Sequence, residues 1–239
     1  LSALRSLLGQ SDVGGVGARL ERWVRGGPLG WALDGDYDVL SLDARFAGFD
    51  MTDVLDHPEV RTPMMLYLFH RIAQRVDGRR LVLDIDEFWK VLGDVAFTDL
   101  AQDGLKTWRK QNALMVFGTQ SPADALRSPI AHTILEQCAT KIFLPNAHGQ
   151  ARDYVEGFGL SDEEFRLIRD ELTPESHRFL VKQGHDSVVV ELDLKGLDDA
   201  LAVLSGRSET VALLDRLRAE TGDDYADWRG PFHSQRRLT

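Results

Sequence analysis

Residues 81–92 of the chain read LVLDIDEFWKVL, and this stretch determines the expected fold. Large aliphatic residues at 81–83 lead to the adjacent acids Asp86 and Glu87. A short apolar run just before adjacent carboxylates is typical of a buried parallel strand that ends in charge. In open α/β sheets, ligands bind in the crevice beyond the carboxyl ends of the strands. The stretch therefore predicts a parallel strand whose tip presents two acids to a ligand crevice.

Two neighbouring acids at such a tip can divide the chemistry of nucleotide hydrolysis. Asp86 would hold Mg²⁺, usually through water, and Glu87 would polarise the attacking water. The same dipeptide can instead cap a helix start, where acids favour the positive end of the helix dipole. Asp84 also interrupts the apolar run, which a purely hydrophobic strand would not predict. On these residues alone, both interpretations stay open.

A phosphate-binding loop of the GxxxxGK[ST] type cannot be placed in this chain, because none of its lysines follows a glycine. The run Gly14-Gly15-Val16-Gly17 has no lysine and no strand before it, so we expect a turn between two helices. The chain begins abruptly on an amphipathic segment, residues 1–8, without an initiator methionine. We expect it to be the C-terminal part of a longer protein.

Composition narrows the class of protein. The 239 residues would form one large domain or two small ones, and 43% hydrophobic residues suffice for a core. A net charge of −10 disfavours nucleic-acid binding by the whole surface, although a local basic groove is still possible. Cys138 is the only cysteine, which rules out an internal disulfide, and the histidines lack zinc-type spacing. No apolar run approaches the roughly 18 residues of a membrane span, so we expect a cytoplasmic protein.

Hydrophobic periodicity predicts alternating helices and strands, and hence a largely parallel sheet covered by helices. The predicted helices span residues 1–9, 15–25, 64–76, 97–110, 129–138, 149–157, 161–172, 197–204 and 209–220, with another beginning at Ser121-Pro122. The predicted strands lie within 37–50, from 81, and at 113–118, 140–144, 178–183 and 187–192, the last two as a hairpin. A capping box is expected at Ser161, and a polar tail from Trp228.

Five segments in order resemble one family. They are residues 49–72 (FDMTDVLDHPEVRTPMMLYLFHRI), 81–92, 105–126 (LKTWRKQNALMVFGTQSPADAL), 139–146 (ATKIFLPN) and 172–184 (LTPESHRFLVKQG). Together they are similar to the VirB/TrbE/CagE family of type IV secretion ATPases, over residues 46–204. The resemblance implies an α/β fold: the C-terminal part of a RecA-like motor domain, related to the HerA/FtsK translocases and cut after the phosphate-binding loop. The expected division is a helical segment (1–36), the motor part with its late hairpin (37–206), and a C-terminal helix and tail (207–239).

The resemblance also implies roles for three residues at the predicted crevice. Asp86 would bind Mg²⁺, Glu87 would activate water, and Gln120 would sense the γ-phosphate of ATP. An amide can hold the attacking water and a phosphate oxygen at once. The alternative for Gln120 is that residues 119–121 only cap the next helix.

Basic residues elsewhere match further family positions. Arg109 and Lys110 match residues that reach a neighbouring subunit's site in ring motors, where an arginine is worth roughly a thousandfold or more in rate. The alternative is that both cations only offset a helix dipole. Arg178, Lys182 and Gln183 match a late basic strand near the nucleotide.

The function implied by the resemblance is ATP hydrolysis with Mg²⁺ that powers channel assembly and substrate transfer in type IV secretion. The complete protein would form a homo-oligomeric ring in the cytoplasm, associated peripherally with the inner membrane through other secretion components. Two alternatives stay open: a docking module for those components, with nucleotide as a switch, and a DNA translocase, which the acidic net charge disfavours. Lacking the phosphate-binding loop, this chain alone is expected to have little or no ATPase activity.

Overall fold

A computed structural model describes residues 1–9, 11–88 and 95–236, so residues 89–92 of the decisive stretch lie outside the described part. The helices are α1 (Ser2–Leu7), α2 (Val16–Arg19), α3 (Gly30–Leu33), α4 (Thr52–Leu55), α5 (Pro58–Ala73), α6 (Val95–Thr107), α7 (Pro122–Arg127), α8 (Ala131–Gln137), α9 (Asp162–Arg166), α10 (Asp198–Leu204), α11 (Ser208–Thr221) and α12 (Tyr225–Gln235). Shorter 3₁₀ turns span Leu20–Trp23, Trp108–Gln111 and Pro174–Ser176, and π-helical turns span Arg152–Gly157 and Leu167–Glu171. The strands are β1 (Leu81–Ile85), β2 (Ala113–Phe117), β3 (Thr140–Phe143), β4 (Arg178–Gln183) and β5 (Asp186–Glu191).

The described strands form two separate sheets. β1 and β2 pair in parallel, with Leu81 opposite Ala113 and Ile85 opposite Phe117. β3, β4 and β5 form an antiparallel sheet in that order. The α/β class, the parallel pair and the late hairpin are confirmed, but β3 joins the hairpin and does not extend the parallel pair. Periodicity indicates the type of an element, not its partner, so the sequence could not supply this pairing.

Helix α5 runs antiparallel to β1 and covers one face of the parallel pair. From its middle onward, Met65 and Phe69 pack in one core cluster with Phe88, which follows the carboxyl end of β1. Near its end, Ala73 packs with Leu81 at the amino end of β1. The N-terminal end of α5 therefore lies at the carboxyl edge of the parallel pair.

The other face of the parallel pair is left open by the described residues. Val82 on β1 and Leu114 on β2 lie opposite each other and are 65% and 58% exposed. Asp84, two residues beyond Val82, shares this open face. Its position in a mainly apolar strand is explained, because a carboxylate on that face stays hydrated.

Two local predictions are wrong. Residues 37–50 form no strand. Their carboxylates instead hold the segment beside α5, with Asp38 paired to Arg71 of that helix and Asp43 paired to Arg75 just after it. Helix α5 begins at Pro58, not at residue 64, because Pro58 occupies the first-turn position. Pro63 lies inside that helix.

The predicted polar tail from Trp228 is also wrong for the described residues up to 236, which include helix α12. Trp228 and Phe232 are four residues apart, share one helix face and pack on the buried Leu217 of α11. Ala202 and Val203 of α10 pack against the same cluster, while the division at residue 207 stays a prediction. None of the described helices combines the length and the apolar character that crossing a bilayer requires.

We predict that Phe232→Ala destabilises this helical cluster. The Phe232 side chain is fully buried, so its removal leaves a cavity and should lower the free energy of unfolding by about 3–5 kcal/mol. Leu204→Ala on α10, where the side chain is 80% exposed, is the control and should change stability by less than about 0.5 kcal/mol. Urea unfolding followed by circular dichroism measures both, and equal values would contradict the packing described.

Candidate functional site

Backbone pairing continues beyond the carboxyl ends of β1 and β2. The Gly118 N–H donates to the Ile85 carbonyl (3.0 Å), and the Phe88 N–H donates to the Gly118 carbonyl (3.2 Å). Phe88 is buried and its ring lies 5.1 Å from that of Phe117. These contacts on either side of the acids fix the Asp86-Glu87 loop beside the end of β2.

The loop holds Glu87 in an uncommon backbone conformation. Its φ of 49° lies in the left-handed region, which residues other than glycine rarely adopt. Asp86 supports this turn, because its Oδ1 accepts the Glu87 backbone N–H at 2.9 Å. Such strain persists only where surrounding contacts enforce it, and it is concentrated at functional sites.

The structure brings Glu87 and Gln120 into direct contact. The Gln120 amide Nε2 donates a hydrogen bond to Glu87 Oε1. Asp86 and Gln120 are exposed and Glu87 is half-buried. One amide and two carboxylates thus meet at the carboxyl edge, as the sequence led us to expect, and their chemical roles stay predictions.

Gly118 is a site residue that the sequence reasoning missed. A Cβ added to Gly118 would lie 2.9 Å from Asp86 Oδ1, closer than real Cβ contacts allow. The absence of a side chain at this position therefore leaves room for the Asp86 carboxylate. A glycine at the end of an apolar strand is the available signal, because it often marks a close approach.

The site suits Mg²⁺ held partly by a bound phosphate. Within the described residues, no group of three or more His, Cys, Asp or Glu residues could hold a metal ion. Mg²⁺ commonly takes only one or two protein carboxylates and completes its shell with water and phosphate oxygens. Asp86 fits this requirement, because it is exposed and its recorded hydrogen bond uses only Oδ1.

Arg109 and Lys110 lie at the opposite edge of the parallel pair. Both are exposed in the 3₁₀ turn that precedes β2. Five strand residues at roughly 3.3 Å each place this turn ~16 Å from the carboxyl edge. The structure therefore does not bring these cations to the acids of the same chain, and a role in a neighbouring subunit stays a prediction.

The late basic residues lie in the other sheet. Arg178 Nε donates to Glu191 Oε2 across the hairpin at 2.9 Å, and Gln183 ends β4 opposite Asp186. Lys182 Nζ contacts both oxygens of Glu164, at 2.8 and 2.9 Å. Their recorded hydrogen bonds hold the hairpin together and fix it to α9, so a nucleotide contact by any of them stays a prediction.

The Lys182–Glu164 pair combines a buried ion pair with a helix cap. The capping box expected at Ser161 is confirmed: the Ser161 N–H donates to Glu164 Oε2, and the Glu164 N–H donates to Ser161 Oγ. Burial acts to raise the pKa of Glu164, but Lys182 and the Ser161 N–H oppose it and the net pKa is lowered. The pair therefore stabilises the fold above the ordinary glutamate pKa of 4.5.

We predict a larger stability loss for Lys182→Met than for Arg178→Met. At pH 7 the first variant leaves the buried Glu164 carboxylate without its cation and should lower the free energy of unfolding by about 3 kcal/mol. The second breaks a pair whose side chains are 56% and 50% exposed, and should lose less than about 1 kcal/mol. Because protonated Glu164 no longer needs Lys182, the deficit of Lys182→Met should shrink as the pH falls below 4.5. Urea unfolding at pH 7 and at acid pH measures this, and a deficit that does not change with pH would contradict it.

Residues 10–172 match the family model of the TraG P-loop domain. The chain belongs to the TraG P-loop domain family. It is 52% and 51% identical over 236 residues to the type IV secretion system protein virB4 of Bartonella henselae and of Bartonella quintana, covering 99% of this chain and 30% of each relative. Protein virB4 of Rhizobium radiobacter is 40% identical over 232 residues, or 97% of this chain and 29% of that protein. The chain therefore spans about 30% of the length of these curated relatives.

One solved structure shares the fold of this chain. The structure of VirB4 of Thermoanaerobacter pseudethanolicus superimposes with a TM-score of 0.61 at 18% identity, covering 82% of this chain and 54% of that one. The family resemblance inferred from the sequence is confirmed. In this TraG P-loop family member, the carboxyl edge of the parallel pair is the candidate site.

Proposed function

We propose that this chain supplies the catalytic acids of a type IV secretion ATPase, which hydrolyses Mg-ATP to power channel assembly and substrate transfer. The observation that carries the proposal is the Glu87–Gln120 hydrogen bond at the carboxyl edge of a parallel strand pair. Membership of the TraG P-loop family and relatives named as type IV secretion proteins support it.

The proposed chemistry needs little covalent participation by the protein. Glu87 orients and polarises the attacking water, and the Gln120 amide holds both that water and a terminal phosphate oxygen. Asp86 holds the metal through Oδ2 or through water, and bound Mg²⁺ offsets charge on the phosphates. In the described arrangement, the Gln120 amide uses one acceptor position of Glu87 Oε1, and the carboxylate keeps further lone pairs for the attacking water.

The anchor for the β- and γ-phosphates comes, in this proposal, from outside these residues. The chain contains no glycine followed by lysine, and it spans about 30% of its curated relatives. Other secretion components at the inner membrane and further copies of the same protein are the proposed partners. The relatives named as type IV secretion proteins support the first of these.

We predict that Glu87→Gln in the full-length protein leaves ATP binding intact but lowers turnover by about a hundredfold or more. The amide keeps the size of the side chain but cannot take a proton from water. Steady-state phosphate release measures turnover, and titration with a fluorescent ATP analogue measures binding.

Asp84→Asn is the matched control for that variant. It removes a carboxylate from the exposed face of β1, only three residues away, and should leave turnover within about twofold. If Glu87→Gln also keeps normal turnover, Glu87 is not the residue that activates water.

A second prediction concerns Arg109. Arg109→Ala should lower turnover by about a thousandfold, while Lys106→Ala, an exposed cation one turn earlier, should not. Mixing Arg109→Ala with Glu87→Gln protein should recover part of the activity, because some interfaces then combine an intact Glu87 with an intact Arg109. Cross-linking verifies that mixed oligomers form, and mixed oligomers without recovered activity would contradict action between subunits.

A further inference from the structure

Arg61, in the second turn of α5, is a cation that the proposed chemistry does not yet use. Its Nε atom is buried and has no hydrogen-bond partner. Among the residues that the structure describes, the Arg61 side chain forms no hydrogen bond or ion pair. Removing a guanidinium N–H from water without a partner costs free energy, so a buried one is normally paired.

The position of Arg61 on α5 directs it toward the candidate site. Residues 61, 65 and 69 are spaced four apart and therefore share one helix face. Met65 and Phe69 on that face pack in the same core cluster as Phe88, the residue after Glu87. Arg61 lies one turn nearer the helix start, which is at the carboxyl edge of the parallel pair. Residue 61 therefore lies on the core-facing stripe of α5, one turn beyond the Met65 that packs in the cluster with Phe88, in the direction of the carboxyl edge.

The charge and shape of this side chain select an oxyanion as its ligand. Glu59, two residues earlier, is engaged by Arg22 at 2.6 Å, and Glu87 Oε1 accepts the Gln120 amide. A planar guanidinium binds a phosphate group through two parallel hydrogen bonds and stays charged at any physiological pH. The crevice at this edge is where ligands of parallel sheets bind.

We propose that Arg61 binds the terminal phosphate of the nucleotide in the crevice formed by its own chain. This assignment rests on the proposed ATPase function. It adds a cation in cis, distinct from Arg109, which lies at the opposite edge of the sheet. Because Nε is enclosed by protein atoms, the phosphate binds through the two terminal nitrogens of the guanidinium.

The test is calorimetric titration of the full-length protein with two probes, Mg-AMPPNP and Mg-ADP. Arg61→Met keeps a flexible apolar stem that can pack in place of the arginine stem, but removes the charge. A lost charge-assisted hydrogen bond should weaken Mg-AMPPNP binding by at least about tenfold, while Mg-ADP binding changes by less than about threefold. Arg22→Met, which removes an exposed cation on the neighbouring segment, is the control and should change neither affinity.

The other possible results distinguish failure of the Arg61 assignment from failure of the ATPase proposal. If the unaltered protein binds both nucleotides and Arg61→Met binds them equally well, the Arg61 assignment is overturned and the ATPase proposal stands. Equal weakening for both nucleotides overturns the terminal-phosphate assignment. If the unaltered protein binds neither nucleotide, both proposals fail.

A second variant is used if thermal unfolding shows that Arg61→Met does not fold. Arg61→Lys keeps the charge but loses the planar fork. Selective weakening of Mg-AMPPNP binding by Arg61→Lys supports the assignment. Unchanged affinity of Arg61→Lys for both nucleotides overturns it.

Discussion

The candidate site depends on backbone pairing that continues past the ends of two parallel strands. The Gly118 N–H bonds to Ile85 and the Gly118 carbonyl receives Phe88, so one residue of β2's extension clamps the loop on both sides of the acids. With its flanks fixed, the loop must turn sharply, and Glu87 takes up the left-handed conformation. The position of the Glu87 carboxylate thus follows from this backbone pairing together with the Asp86 side chain, which accepts the Glu87 N–H.

The same clamp explains why a small residue and an amide stand together at the end of β2. Gly118 approaches the loop so closely that any side chain there would displace Asp86 Oδ1. Gln120, two residues further along, is then beside Glu87 and donates to it. The register of the parallel pair, which places Ile85 opposite Phe117, makes this meeting possible. A shift by one residue would turn the side chains of one strand to the opposite face.

The sequence predicted this edge well because the relevant signals are local. An apolar run that ends in Asp86-Glu87 and a second that ends before Gln120 indicate two strand tips, and parallel strands bring their tips to one edge. The sequence predicted poorly which strands pair and which segments pack together. The four residues of β3 look the same whether they extend a parallel sheet or join a hairpin. Residues 37–50 alternate like a strand, although ion pairs to Arg71 and Arg75 hold them. The helix around Phe232 was missed because Gly230 and Pro231, which lie inside it, are typical of a helix break.

In the proposed ATPase, the five-residue length of β1 and β2 also sets which cations can act on which phosphate. Arg109 follows α6 and precedes β2, so it lies at the amino edge, a full strand length from Glu87. An arginine side chain is shorter than that separation, and no rotamer change can close it within one chain. Arg61 stands on a helix antiparallel to β1 and is returned to the carboxyl edge by the same topology. In a ring of such chains, each nucleotide would therefore meet one cation from the subunit that carries its acids and another from the adjacent subunit. The direction of the chain through a two-stranded parallel pair is sufficient to produce that division.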